Sequence, residues 1–103
     1  MNTFDVSHQI TDFFGEPIME EDKPLTYGKV IVLSLMANFQ EDSKLPVEEK
    51  LQRFTMAQNV ATALLKGQDV SLDSVEVDII KRCANRALTV YSFGKLNQFL
   101  NGG

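Results

Sequence analysis

Thr26-Tyr27-Gly28-Lys29-Val30-Ile31-Val32-Leu33-Ser34-Leu35-Met36-Ala37-Asn38-Phe39 is the stretch whose reading decides the fold. Its centre, Val30 to Leu33, is a β-branched run that reads equally as a buried strand. Thr26, just ahead of it, is a good N-cap, because its hydroxyl can accept a first-turn backbone N–H. The 13 residues from Tyr27 to Phe39 are also long for a strand, so we read a helix there. Wound as a helix, the segment is apolar nearly all round, with only Tyr27, Ser34 and Asn38 forming a polar strip. Such a helix is expected to be surrounded by protein.

Downstream the pattern is helical. After the loop Gln40 to Leu45, Pro46 suits a first turn, where its missing N–H needs no partner. Ser43 is the expected cap, and Glu48 and Glu49 suit the positive end of the helix dipole. This second helix should run to Lys66 and stop at Gly67. Val47, Leu51, Phe54, Ala61 and Leu65 form its expected core face. Glu48, Gln52, Thr55, Asn59, Thr62 and Lys66 form the opposite polar strip. Met56, Val60 and Ala63 lie beyond the main apolar face, which suggests a central position or a subunit interface. Gln68 to Leu72 reads as a connector. Asp73 and Glu76 have capping-box spacing before a third helix from Ser74 to about Leu88. Its expected inward residues are Ile79, Ile80, Cys83, Ala84 and Ala87. Thr89 is placed to cap a last helix, Val90 to Leu100, with Val90, Phe93, Leu96 and Phe99 or Leu100 at helical spacing.

Upstream the period changes. Phe4, Val6, His8 and Ile10 alternate with polar residues, as in a half-buried strand. Asp12-Phe13-Phe14-Gly15-Glu16-Pro17 reads as a turn, and Ile18-Met19 as the return strand of a hairpin. Glu20 to Pro24 is a charged loop. A lone hairpin is marginal in water and must pack on something. The fold class expected is mainly α: one domain over 1–103, with hairpin and charged loop at 1–24 and a compact bundle of about four helices over 25–100.

The chain has 103 residues and a net charge of −4. Residues 1–48 carry −6 and residues 49–103 carry +2. An acidic chain repels phosphates, so nucleic acid is not the expected partner. A single cysteine, Cys83, excludes an internal disulfide framework and favours the cytoplasm. Asp5 and His8 interrupt the start, against a signal peptide. No apolar run is long enough for a bilayer span.

Few residues suggest chemistry. One histidine, His8, and one cysteine on an apolar face do not make a zinc cluster. Cys83 has no evident base beside it and reads as a small core hydrophobe. Glu20-Glu21-Asp22 reads as a solvated loop. Gly28-Lys29 lacks the other glycines of a phosphate loop. We therefore expect no enzyme activity, no metal and no cofactor. Lys81, Arg82, Asn85 and Arg86 share the outer face of the third helix, a strip that could sit on DNA phosphates. Asp78 can instead pair with it at i+3 and i+4. Phe13 and Phe14, adjacent at a turn, read either as a docking pair or as one ring packed under the hairpin with the other partly exposed.

Phe4-Asp5, Gly15-Glu16-Pro17, Pro24 to Gly28, Glu48-Glu49-Lys50 with Arg53-Phe54, Val75 to Lys81 and Val90-x-x-x-Gly94 together resemble a set of small bacteriophage and prophage proteins. The resemblance runs over most of the chain and supplies no catalytic residues. It implies a setting in a bacterial host cell and a role exerted by binding.

The function expected is a non-enzymatic protein–protein interaction module, a phage accessory protein that binds a host or phage protein and self-associates as a homodimer. Its expected interaction residues are Phe13, Phe14, Ile18, Met56 and Val60. The warrant is apolar surface in excess of what so short a chain can cover. The alternative is a small DNA-binding regulator using Lys81, Arg82, Asn85 and Arg86.

Overall fold

Thr26 caps a helix: its Oγ1 accepts the Lys29 N–H at 3.2 Å, and helix α1 spans Tyr27–Met36. The β-branched run is helical because its burial outweighs its weak helix propensity; Val30, Ile31 and Leu35 lie in the core. The computed structural model describes residues 2–37 and 44–102, so the expectations for Asn38, Phe39 and Ser43 lie outside the described residues.

The orientation of α1 differs from expectation. Tyr27 and Ser34, of the expected polar strip, face inward. The Ser34 hydroxyl donates to the Val30 carbonyl at 2.8 Å, so it is satisfied within its own helix. The Tyr27 ring stacks on Phe99 with centroids 4.2 Å apart. Leu33 and Met36 are each about half exposed, so α1 is not surrounded by protein.

Helix α2 spans Val47–Lys66 and begins directly after Pro46. It ends at Gly67, whose φ of 65° is left-handed, and the Gln68 N–H donates to the Ala63 carbonyl at 2.9 Å. Its buried residues are Arg53, Met56, Ala57, Val60 and Ala63. The expected core face is therefore wrong: Val47, Leu51, Phe54 and Leu65 are exposed. The buried face mixes the small Ala57 and Ala63 with Arg53, Met56 and Val60, and the stripe of Val47, Leu51, Phe54 and Leu65 is left outside.

The N-terminal segment also departs from the expected hairpin. Strand β1, Asn2–Phe4, pairs antiparallel with β4, Val70–Leu72, inside what had read as a connector. Thr3 stands opposite Ser71, while Phe4, Val70 and Leu72 are buried. Strand β2, Met19–Glu20, pairs instead with β3, Lys23–Pro24. Glu21 and Asp22 turn between them with φ of 49° and 67°, the positive values of a two-residue hairpin turn. Of the expected hairpin there remain a bridge between Thr11 and Pro17 and an N–H of Ile18 donating to the Ile10 carbonyl at 2.9 Å.

Helix α3 spans Ser74–Ala87 and carries the full capping box. Asp73 accepts the Glu76 N–H at 2.8 Å, and Glu76 accepts the Asp73 N–H at 3.0 Å. Ile79, Ile80, Cys83 and Ala84 are buried as expected, whereas Ala87 is exposed. Helix α4 spans Val90–Gly102; Thr89 accepts the Ser92 N–H at 3.2 Å, Leu96 and Leu100 are buried, and Val90 is outside. The result is a mainly helical globule of four helices with two small two-stranded sheets. Among the described residues no helix is long and apolar enough to cross a membrane.

Candidate functional site

The turn over residues 12–16 is closed by its own backbone. The Asp12 carboxylate accepts the N–H groups of Phe14 at 2.8 Å and Glu16 at 3.0 Å. The Asp12 N–H donates to the Glu16 carbonyl at 2.8 Å, and Gly15 supplies the positive φ of 85° that this path needs. The turn is tied to α4, because the Tyr91 hydroxyl donates to the Thr11 carbonyl. Phe13 meets the Tyr91 ring edge-on at 4.7 Å. That contact holds the ring without covering it: Phe13 remains 84% exposed and Phe14 91%. Val90 is exposed too, and Phe13, Val90, Tyr91 and Gly94 line one shallow depression. Two aromatic rings thus stand out from a hydrogen-bonded platform.

A second apolar surface runs along α2. Leu51 is 60% and Leu65 88% exposed, with Val47 and Phe54 in the same stripe. Val32, Met36, Phe54, Ala57, Gln58 and Ala61 line an open trough of about 210 Å³ between α1 and α2. Arg53 fixes the neighbouring helix end. Its Nε and Nη2 donate to the Leu35 carbonyl at 3.1 and 2.8 Å, and Nη2 also reaches the Ala37 carbonyl at 3.1 Å. A cation here satisfies carbonyls that α1 leaves without intrahelical partners and opposes the negative end of its dipole.

The expected interaction residues therefore divide. Phe13 and Phe14 are at the surface. Ile18 is partly buried against the core. Met56 and Val60, at 2% and 0% exposure, are core residues and not surface ones. Their heptad neighbours Leu51, Phe54 and Leu65, read as core, are the ones outside. The signal is the second apolar stripe itself: α2 carries two, and the one with the bulkier side chains is the outer.

The strip on α3 is engaged locally. Arg82 pairs with Asp78 at 3.3 Å and Glu49 at 3.8 Å. Lys81 donates to Asn101 Oδ1 at 2.5 Å. Asn85 and Arg86 are exposed. His8 lies against the Tyr27 ring at 6.0 Å, and Cys83 is buried. Burial pushes the Tyr27 phenol above its ordinary range, and nearby Tyr91 adds to the push. Glu20 pairs with Lys29 at 2.5 Å, which raises the lysine's pKa. Among the described residues no three His, Cys, Asp or Glu side chains gather as a metal site would require.

Compared with known family models, curated proteins and solved structures, the chain matches none of them.

Proposed function

We propose that this chain is a non-enzymatic protein-binding module that docks on another protein through the Phe13–Phe14 turn and also associates with itself, as a phage accessory protein acting inside a bacterial host would. The observation that carries this reading is two adjacent, largely exposed phenylalanines on a turn whose backbone is already closed. Leaving such rings in water is unfavourable, and a rigid aromatic tip loses little entropy when it is covered. Aromatic anchors of this kind dominate the energy of many interfaces.

Capture from a bacterial lysate tests it by comparing the parent chain with a Phe13→Asp/Phe14→Asp variant. Proteins retained by the parent and lost by the variant, with the helical circular dichroism unchanged, are the expected outcome. The same proteins on both baits would remove the turn as the docking site. The DNA-binding alternative is less well supported, since Lys81 and Arg82 already have partners within the chain.

A further inference from the structure

The dipeptide Asn101-Gly102 closes helix α4, and it is the one Asn-Gly pair in the chain. Asparagine before glycine is where a polypeptide attacks itself most readily, because the glycine nitrogen has no side chain beside it to hinder approach to the asparagine amide. A helix interior prevents that attack. Its dihedral angles hold the following nitrogen away from the side chain and bond its N–H to a carbonyl one turn back. The last turn differs, since helix ends fray and glycine is a poor helix former. Asn101 and Gly102 are both exposed. Among the described residues, nothing outside the local helix lies within 4 Å of where a Gly102 Cβ would stand. Asn59, Asn85 and Asn97 also lie in helices, but each precedes a residue with a side chain: Val60, Arg86 and Gln98.

The neighbouring helix prepares the side chain for this chemistry. Lys81, on α3, donates from Nζ to Asn101 Oδ1 at 2.5 Å. A cation bonded to an amide oxygen draws electrons from the amide carbon. It also stabilises the negative charge that gathers on that oxygen when a nucleophile adds. The pair borders an open cleft of about 520 Å³, which gives water access to it. We infer that Asn101 is a self-modification site: the chain deamidates there through a succinimide, and Lys81 activates the side-chain amide. This inference stands apart from the docking function and from self-association, and neither its success nor its failure bears on them.

The steps need only water. When the last turn opens, the Gly102 backbone nitrogen gives its proton to water or hydroxide and forms a bond to Asn101 Cγ. The Cγ–Nδ2 bond breaks, and Nδ2 leaves as ammonia with a proton taken from water. Nothing is oxidised or reduced. Water then opens the five-membered ring at one of its two carbonyl carbons. Attack at Cγ restores the ordinary backbone and leaves an aspartate. Attack at the backbone carbonyl carbon reroutes the chain through Cγ and leaves an isoaspartate, whose extra backbone carbon cannot continue a helix. Either product carries a new negative charge beside Lys81. The neutral bond that ties α3 to α4 thereby becomes an ion pair. The new charge sits at the negative end of the α4 dipole, where the lysine offsets it.

Peptide mass spectrometry of the full chain, incubated at mildly alkaline pH, tests the site. Asn101 should acquire the mass of an acid, as a mixture of aspartate and isoaspartate, while Asn59, Asn85 and Asn97 stay amides. Gly102→Ala fits the open space at that position and favours the helix, so it should nearly stop the conversion. Lys81→Met should slow it by roughly tenfold with the helical circular dichroism unchanged, less than the loss of a buried oxyanion donor because Asn101 is exposed to water. An Asn101 that remains an amide, or converts no faster than the other three, would overturn the site. Equal rates in the parent and Gly102→Ala would overturn the succinimide route. A Lys81→Met chain converting as fast as the parent, or faster, would overturn the activating role of Lys81 and reduce its bond to a tether.

Discussion

Helices α2 and α3 are built from similar materials and used differently. On α3 one apolar face, Ile79, Ile80, Cys83 and Ala84, is buried, and the charged face opposite is solvated. On α2 the buried face is made of Arg53, Met56, Ala57, Val60 and Ala63, while Leu51, Phe54 and Leu65 stand outside. A helix that serves only its own core has one apolar side, and its bulk faces in. A helix with two apolar sides has a second surface to cover, and the smaller side chains go where neighbouring backbones come close. The contrast teaches that periodicity locates apolar faces but does not rank them.

Substitutions break or sharpen this comparison. Ile80→Ala, on the single face of α3, should cost about 2–5 kcal/mol in urea unfolding, because the side chain is fully buried and leaves a cavity. A cost near zero would mean that α3 does not anchor the core. Arg53→Met, on the inner face of α2, should cost about 1.5–3 kcal/mol, since the carbonyls of Leu35 and Ala37 lose a charged donor. Arg53→Lys should recover only part of that, lacking the planar fork that reaches both carbonyls. Leu51→Ala, on the outer face, should change the stability of the single copy by less than about 0.5 kcal/mol, measured at a dilution where copies are apart. A cost like that of Ile80→Ala would restore Leu51 to the core and dissolve the contrast.

Much of the fold was legible because local chemistry states it. Thr26, Asp73 with Glu76, Thr89 and Gly67 mark helix ends through side-chain and backbone bonds made within a few residues, and the structure has all four. What was not legible is non-local. Val70-Ser71-Leu72 is too short to show a period, and its partner lies at the other end of the sequence. Tyr27 and Ser34 were read as an outer strip because they are polar, yet an intrahelical bond and an aromatic stack let both be buried. Phe13 and Phe14 could be picked out as a docking site because adjacent aromatics before a glycine stand out. The outer stripe of α2 could not, since a sequence does not say which of two apolar faces the rest of the chain will cover.

The pairing of β1 with β4 has a consequence for the order of folding. Thr3 and Ser71, whose hydroxyls lie 3.4 Å apart, are 68 positions distant along the polypeptide. Closing so wide a loop is entropically disfavoured until something has drawn its ends together, whereas α1 and α2 are near neighbours and can associate first. The opening strand thus behaves as a clasp fastened after the helices have met, with the Phe4 ring settling 5.5 Å from Phe99 as the fastening closes. Amide protection along residues 2–4 should accordingly lag behind that of α1 and α2 during refolding.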